Sequence, residues 1–463
     1  MKADGKGDYP DLPAAVAAAE FGATIILEEG TYKLAETLYI HYPITIIGAG
    51  IDKTIISSKG YKDTDKRKGL VRIDGNGPFN FQGITFKVED GNTAYAVYVE
   101  RGEVHFQECR FTGATFKREA ESVYGSGLKL RYARGTVRNC ISDENFMGAF
   151  MDEDSNIIFE ENNFSRNKGN GLYFWGNSIG IARKNRCSNN GWSGIGAIGS
   201  SNTTLEENIC NNNNTGIFIG WNAIGVANKN QCSGNQAGIL VRDGAKVTLE
   251  ENIISKNKIF GIDFEARASG TIRKNQVTES DDVGIFLNGN SHAILEENIV
   301  SQNNNAGIDY RQGSSGSARK NQVTNNKAVG ILLIDKSQTI LEENIISQNG
   351  STGIEYRDDS TGTARKNQIT GNQIGIMVKG QTKPVLEENV CSNNQWYGIQ
   401  IYSPYAYPVL LKNTCQGNSR ADVYPVDYVA RPTPTPIPSP TSLPDKTILW
   451  SEDFEDGKAD KWE

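Results

Sequence analysis

The chain has 463 residues, of which 37% are hydrophobic, and it carries a formal net charge of −7. A nucleic-acid-binding protein usually shows a basic face, and the sequence contains no basic block, so we expect no nucleic-acid partner. The sequence also lacks an apolar run of the ~20 residues that a membrane-spanning helix requires. The 49 glycines and the abundant asparagines favour many short strands separated by turns.

The first predicted element is a short N-terminal helix. The stretch DLPAAVAAAEF, residues 11 to 21, places Asp11 at the N-cap and Pro13 in the first turn, and both features are typical of a helix start. Strand-like segments, ATIILEEGTYKL and ITIIGAG, follow the helix. We expect the helix to cover the first strands, whose edge would otherwise be open to pairing with another chain.

A repeated pattern begins near residue 139 and continues to residue 418. In each unit a pair of residues, usually charged, precedes an Asn, a second Asn usually follows five residues later, and Gly plus an apolar residue comes after that. The first Asn falls at Asn139, Asn162, Asn185, Asn208, Asn230, Asn252, Asn275, Asn298, Asn321, Asn344, Asn367, Asn389 and Asn413. In the second series, Ser280 takes the place of an Asn.

This repeat predicts a right-handed parallel β-helix with one coil per unit and three short strands per coil. So short a unit cannot bury its own apolar face and must stack on its neighbours. Its apolar positions are short, alternating and β-branched, which favours strands. Each Asn is expected at a bend, bonded to the Asn above and below, because Asn tolerates the left-handed backbone of such bends. Between residues 55 and 139 the coils are irregular, and Cys109 takes the Asn position.

The sign of the charged pair alternates from coil to coil, as in Glu342-Glu343 followed by Arg365-Lys366. Stacking makes these pairs vertical neighbours, and alternation avoids the repulsion between like charges on paired strands. The residue before each pair alternates between small and large, as in Ala182 and Leu205, so adjacent core layers are expected to interdigitate. Cysteines share one core position in consecutive coils and show no zinc-binding spacing, so we expect free buried thiols. They are Cys187, Cys210 and Cys232, and then Cys391 and Cys415.

The opening DGKGDYPDLPAAVAAAEFGATIILEEGTYKL, the following ITIIGAGIDKTII and the repeats to about residue 428 resemble the pectate-lyase-like right-handed β-helix superfamily. Within that superfamily the chain resembles in particular the β-helix-repeat proteins of bacteria. We therefore predict a cap with the first coils over 1–55 and the parallel β-helix over 56–430. A Pro/Thr/Ser linker is predicted over 431–445, and the start of a truncated second domain over 446–463. The last segment contains FEDGKADKW, which is similar to the first strand of lectin-like jelly-roll domains.

The resemblance implies that a polysaccharide lies along the outer face of the strand that begins at Gly-Ile. The segments LKLRYAR, MDEDSN and YFWGN supply the densest set of acids, bases and aromatic residues on that strand. Stacking is expected to set Lys129 and Arg131 over Asp152 and Asp154. The candidate catalytic residues are Lys129, Arg131, Asp152 and Asp154, and the candidate substrate-binding residues are Tyr173, Trp175 and Trp221.

Two kinds of chemistry fit these candidate residues. A uronate lyase needs a strong base and carboxylates that hold calcium against the substrate, and a glycoside hydrolase needs two carboxylates. Calcium is thus the expected cofactor only for a lyase, and no metal-binding residues are assigned. The alternative is a solvated charged face with local ion pairs. Farther down the chain, Asp263, Asp309 and Glu355 recur every 46 residues, and a feature repeated with the sequence is expected to be architectural.

These observations favour a monomeric, secreted or surface-attached β-helix protein that binds polysaccharide along its outer strand face. If it is an enzyme, we expect a polysaccharide lyase or glycoside hydrolase that acts on an acidic glycan. The rival function is a non-catalytic spacer or adhesion scaffold, and an intracellular sensor module is a third. The opening MKADGKGDYP has no apolar signal region, so we expect either a cytosolic protein or a mature or excised portion of a longer one. The Pro/Thr/Ser linker and the segment after it favour a fragment of a larger exported protein.

Overall fold

The computed structural model describes residues 1–59, 69–89, 93–115, 117–118, 123–402 and 405–425. Over these residues the chain forms a parallel β-solenoid with one short helix at its N terminus, as the sequence predicts. The predicted linker and second domain, residues 431–463, lie outside the described residues. The helix in the described part of the chain is seven residues long, far too short to cross a membrane.

The helix, Leu12–Ala18, has the predicted N-cap. The backbone of Asp11 is extended, and its Oδ1 accepts a hydrogen bond from the backbone N–H of Ala14 at 2.8 Å. The helix ends at Ala18, three residues before the predicted end, because Ala19 adopts an extended backbone. The side chains of Leu12, Ala15 and Val16 are buried in the same core as the first strands. The helix therefore covers the start of the solenoid, as expected.

Each coil passes in turn through three strands, which we name the side, front and back strands after the sheets they form. The side sheet contains Gly30–Lys33, Thr54–Ser57, Thr85–Lys87, Arg110–Thr112 and Ile141–Asp143, and then Gln231–Ser233, Ile253–Ser255, Gln276–Thr278, Ile299–Ser301, Gln322–Thr324, Ile345–Ser347, Gln368–Thr370, Val390–Ser392 and Thr414–Gln416. Single bridges at residues 163, 186 and 209 connect its two parts.

The front sheet contains Leu38–Ile40, Val71–Asp74, the first half of Tyr95–Gln107, Ser126–Arg131, Met147–Asp152, Leu172–Phe174, Ser193–Ala197, Thr215–Ile219, Ala237–Val241, Phe260–Phe264, Val283–Leu287, Ile308–Tyr310, Ile331–Leu333, Thr352–Tyr356, Ile374–Val378, Tyr397–Ile401 and Ala421–Tyr424. The back sheet contains Ala23–Ile26, Ile44–Ile47, Phe79–Gln82, the second half of Tyr95–Gln107, Ala133–Arg138, Asn156–Glu160, Ile179–Arg183, Asn202–Glu206, Ile224–Asn228, Lys246–Glu250, Ser269–Arg273, His292–Glu296, Ser315–Arg319, Gln338–Glu342, Thr361–Arg365, Val385–Glu387 and Val409–Leu411. Outside the three sheets, Lys117–Arg118 and Val123–Tyr124 pair as a short antiparallel hairpin.

The predicted column of asparagines is confirmed, and Asn208 shows its bonding. Its Oδ1 accepts from the backbone N–H and from Nδ2 of Asn185, both at 3.0 Å. Its Nδ2 donates to the carbonyl of Ala182 at 2.7 Å and to Oδ1 of Asn230 at 3.0 Å. Because these side chains are buried, satisfying all their polar atoms fixes the vertical register of the coils.

The start of the column differs from the prediction. Asn162 Oδ1 accepts from the backbone N–H of Cys140 at 2.9 Å, so Cys140 occupies the place predicted for Asn139. Asn139 itself has a positive φ of +51°. The residues just before the ladder asparagines also have positive φ angles, such as +56° at Glu161 and at Lys184. The left-handed bend thus belongs to the preceding residue, which turns the chain so that the next amide can lie along the stack.

The vertical alternation of charge and of core size is confirmed. Glu160 lies beside Arg183 in the back sheet, and their side chains form an ion pair of 2.7 Å. In the core, Ala182 lies against Leu205, and both are fully buried. All seven cysteines are free thiols, six of them buried and Cys415 half-buried, in agreement with the predicted filler role.

Candidate functional site

The outward side chains of the front sheet form vertical columns with one residue per coil. One column runs through Arg72, Tyr98, Lys129, Phe150 and Tyr173. The strand spacing of ~4.8 Å brings each of these side chains into contact with the next. This column is the centre of the candidate site.

Lys129 is the most unusual member of the column, because a lysine on an outer face is only 6% exposed. Its Nζ donates to Asp152 Oδ2 at 2.8 Å and lies 3.4 Å from the centroid of the Phe150 ring. Burial lowers the pKa of Lys129 to about 8, although the carboxylate of Asp152 acts in the opposite direction. The lysine is therefore held in place and is easier to deprotonate than an ordinary lysine.

Arg131 lies two residues farther along the same strand and has different carboxylate partners. Its guanidinium is 3.8 Å from Glu100 and 3.5 Å from Glu153, and its buried Nε has no hydrogen-bond partner among the described residues. Arg72 makes the shorter contact to Glu100, at 2.9 Å, and lies over the ring of Tyr98. Tyr98 and Tyr132 are further side-chain partners of this guanidinium, so what Arg131 lacks is a close carboxylate.

The aromatic residues continue the site into the following coils. The ring of Tyr173 is 5.6 Å from that of Phe150 and 6.1 Å from that of Trp175. Trp175 meets Trp221 edge to face at 6.2 Å. Trp175 and Trp221 are 42% and 51% exposed, so two large rings are presented to solvent beside the charged residues.

Backbone features make room for these rings. A Cβ atom at Gly196 would lie 2.7 Å from the ring of Tyr173, so the ring can lie there only because the residue above it has no side chain. Trp221 has φ +53°, a left-handed conformation that is rare for a bulky residue and costs ~1–3 kcal/mol. The turn therefore keeps Trp221 in an unfavourable backbone conformation.

The structure brings together six of the seven predicted site residues, but in a different register. Lys129 lies beside Phe150, and Arg131 lies beside Asp152, whereas stacking was expected to pair Lys129 with Asp152 and Arg131 with Asp154. The prediction was two residues out because this coil advances only 21 residues, from Lys129 to Phe150, where 23 were expected. The strand Met147–Asp152 then ends at Asp152. Asp154 consequently lies exposed in the turn after this strand and is separated from the column.

The sequence-based search missed Arg72, Tyr98, Glu100 and Phe150. The first three lie in coils without the Asn marker, so their register could not be inferred from the repeat. In GAFMD, Phe150 lies between the buried residues Ala149 and Met151, and this alternation could have shown that its side chain points outward. We call the full set the front cluster, and it comprises Arg72, Tyr98, Glu100, Lys129, Arg131, Phe150, Asp152, Glu153, Tyr173, Trp175 and Trp221.

Farther along the front sheet, three buried acids lie two coils apart in the same outward column. Asp309 bonds to Arg311 at 2.7 Å, and Glu355 bonds to Arg357 at 2.6 Å and to Lys379 at 2.7 Å. These pairs fit the predicted architectural role. Asp263 differs, because burial and then the neighbouring carboxylate of Glu265 raise its pKa to about 8, a shift that Arg242 only partly offsets.

Comparisons with known proteins agree with this architecture. A family model described as "Right handed beta helix region" matches residues 69–230, 208–344 and 284–430. No curated protein matches the chain.

Among solved structures, the chain is similar to the A-module of the mannuronan C-5 epimerase AlgE6 of Azotobacter vinelandii, with 14% identity and a TM-score of 0.39 over 84% of this chain and 93% of that chain. It is also similar to tailspike protein 3 of bacteriophage CBA120, with 12% identity and a TM-score of 0.35 over 91% of this chain and 61% of that chain. A third similar structure is the catalytic unit of the GH87 α-1,3-glucanase of Streptomyces thermodiastaticus strain HF3-3, with 13% identity and a TM-score of 0.33 over 91% and 69%.

Proposed function

The chain belongs to the right-handed β-helix family, and from that premise we propose that it binds an acidic polysaccharide at the front cluster. The observation that carries the proposal is the placement of the exposed rings of Trp175 and Trp221 on the same face as Arg131. Sugar rings present C–H groups that pack on aromatic faces, and their hydroxyl and carboxylate groups accept hydrogen bonds from nearby donors.

The state of Arg131 supports an acidic rather than a neutral glycan. Its contacts to Glu100 and Glu153 are long, and its Nε lacks a partner among the described residues. A guanidinium group binds a carboxylate through two parallel hydrogen bonds, which are stronger than bonds to neutral hydroxyls. A uronate carboxylate would therefore give the exposed part of the Arg131 guanidinium the close carboxylate partner that Glu100 and Glu153 do not provide.

Binding is better supported than turnover. Lys129 is bonded to Asp152, and Arg72 is bonded to Glu100, so each of these groups already has a partner of opposite charge. The catalytic roles of Lys129, Arg131 and Asp152 stay predictions, and so does that of Asp154. The lowered pKa of Lys129 is the observation that favours a base.

Two further expectations accompany the proposal. Polysaccharides of this kind are found outside cells, so we expect the protein to act in an extracellular or cell-surface location and as a monomer. The rival function, a spacer or adhesion scaffold without a glycan ligand, would explain the regular coils but would leave the exposed tryptophans without a role.

A binding screen over acidic and neutral polysaccharides, combined with assays for unsaturated products and new reducing ends, tests the proposal. We expect saturable binding to an acidic polysaccharide that weakens in Arg131→Gln. The control is Arg420→Gln, because Arg420 lies over a distant ring, that of Trp396. Absence of binding to every glycan would favour the scaffold, whereas equal affinity in both variants would show that the glycan binds elsewhere than at the front cluster. Product formation that is lost in Lys129→Ala would extend the proposal to catalysis.

A further inference from the structure

The buried acids of the front sheet lie in one outward column, and their surroundings can be compared with one another. Asp263, Asp309 and Glu355 occupy equivalent positions in alternate coils, and all three are at least 95% buried although they point outward. A buried carboxylate is costly unless a counter-charge or hydrogen bonds compensate it. The three coils can therefore be compared for how each acid is compensated.

Two of the three acids are neutralised by an arginine two residues later. Arg311 donates from Nε and Nη2 to Asp309, at 2.9 and 2.7 Å, and Arg357 donates from Nε to Glu355 at 2.6 Å. After Asp263, the equivalent position holds Glu265. In this coil a second carboxylate thus takes the place of the cation.

No described cation bonds to Asp263, and Arg242 offsets the effect of its burial only in part. Neither Asp263 nor Glu265 forms an ion pair within the part of the chain that the structure describes, and Asp263 Oδ1 is buried without a hydrogen-bond partner. Arg242, in the preceding coil, donates from Nε to Asp243 at 2.8 Å. Around Asp263 the described residues therefore provide two carboxyl groups and no cationic side chain bonded to either of them.

A third oxygen atom without a partner in the described part of the chain belongs to the next coil, at the register position of Glu265. Asn288 follows the strand Val283–Leu287, which pairs with the strand of Asp263, and it lies one coil above Glu265. Its Oδ1 is also buried without a hydrogen-bond partner among the described residues. Two carboxylates and one amide oxygen, two of them unsatisfied, thus come from adjacent coils to one region of the outer face.

We propose that Asp263, Glu265 and Asn288 bind one divalent cation of the Ca²⁺ type, which replaces the arginine of the equivalent coils. Oxygen atoms are the ligands that Ca²⁺ takes, and it accepts ~6–8 of them in irregular arrangements, so water completes the coordination. Mg²⁺ is less suitable because it demands near-octahedral geometry. A monatomic ion is favoured over an organic ammonium group because Asp263 is buried too deeply for a bulky ligand. This inference does not depend on the proposed glycan binding.

Calorimetric titration of the full chain with CaCl₂ and thermal unfolding with and without CaCl₂ test the proposal. We expect one saturable Ca²⁺ site, weaker binding of Mg²⁺ from MgCl₂, and a melting temperature that rises with Ca²⁺. Asp263→Asn should abolish both the binding and the rise. Asp358→Asn removes an exposed turn acid and should leave both unchanged, which separates a specific site from general attraction of cations.

The variant Glu265→Arg recreates the acid–arginine spacing of the equivalent coils. It should fold, lose Ca²⁺ binding, and melt without Ca²⁺ at or above the temperature of the unmodified protein. It keeps the proposal testable if Asp263→Asn does not fold. A wild-type chain without saturable Ca²⁺ uptake, or a Glu265→Arg chain that binds Ca²⁺ as the wild type does, would overturn the inference.

Discussion

The ammonium group of Lys129 lies 3.4 Å from the centroid of the Phe150 ring, which belongs to the next coil. The same ammonium donates to Asp152 at 2.8 Å. One coil thus provides both the aromatic face and the carboxylate that hold a lysine of the preceding coil. The charge of this lysine is the property of the front cluster that is most sensitive to pH.

Binding of an acidic glycan should weaken as the pH rises through about 8, because burial lowers the pKa of Lys129 from 10.5 to about 8. Stability should change in the opposite direction. Below pH 8, Lys129 is charged in the folded and in the unfolded protein, and the folded protein bears the full cost of burying that charge. Above pH 8, the folded protein releases the proton while the unfolded chain still binds it. The free energy of unfolding therefore rises with pH until the pKa of Lys129 in the unfolded chain is reached. Affinity and melting temperature measured from pH 6.5 to 9 would show both trends. Lys129→Met should remove them, and trends that persist in that variant would refute the assignment.

Trp175→Ala should reduce glycan affinity by about 2- to 10-fold, since an aromatic contact is worth ~0.5–1.5 kcal/mol. The loss is expected because the exposed Trp175 ring provides apolar contact area next to Arg131. Isothermal titration with the glycan that binds best measures the change. Trp396→Ala is the matched control, because Trp396 is similarly exposed but lies in a distant coil. Equal losses in the two variants would mean that the front cluster is not the binding surface.

Asn252→Ala should destabilise the solenoid by roughly 2–5 kcal/mol. The backbone N–H and Nδ2 of Asn230 lose their acceptor, and the carbonyl of Ala227 loses its donor, all in a buried environment where unsatisfied groups are costly. Chemical unfolding should show either a lower midpoint or a separate early transition, because coils interact only with their neighbours. The exposed Asn304→Ala serves as the control and should change stability by less than ~0.5 kcal/mol. A mild effect at Asn252 would show that the ladder does not fix the register.

Arg273→Glu should cost about 1 kcal/mol of unfolding free energy at low salt, because it places three acids in one vertical column. Arg273 lies between Glu250 and Glu296 and bonds to Glu250 at 2.7 Å. Arg273→Gln removes the pair without adding repulsion, so it should be the milder change. Unfolding in ~1 M salt should reduce the difference between the two variants, since salt screens exposed charges. A difference that salt leaves unchanged would contradict the electrostatic explanation.

The predicted features that the structure confirms are those that recur at every coil. The Asn column, the alternation of Glu160 with Arg183 and the pairing of Ala182 with Leu205 could be predicted because each follows from stacking identical units. The misplacement of Asn139 has the same origin. It lies at the edge of the irregular coils, where Asn139 takes the bend position and Cys140 the ladder position, so the marker of the regular coils was assigned one residue too early.

The sequence by itself determined the solenoid, because a unit of 22 to 24 residues cannot bury its apolar face unless it stacks, and its repeated letters then define which residues touch. It also singled out Lys129, Arg131 and Trp175 as members of one surface. Only the tertiary structure decided the register in that surface, the recruitment of Arg72 and Tyr98, and the contrast between Asp263 and its equivalents. These features depend on where a strand ends and on which side chains of adjacent coils surround a residue. Those side chains are distant in sequence, and they determine how far the residue is buried and which of its polar atoms have hydrogen-bond partners.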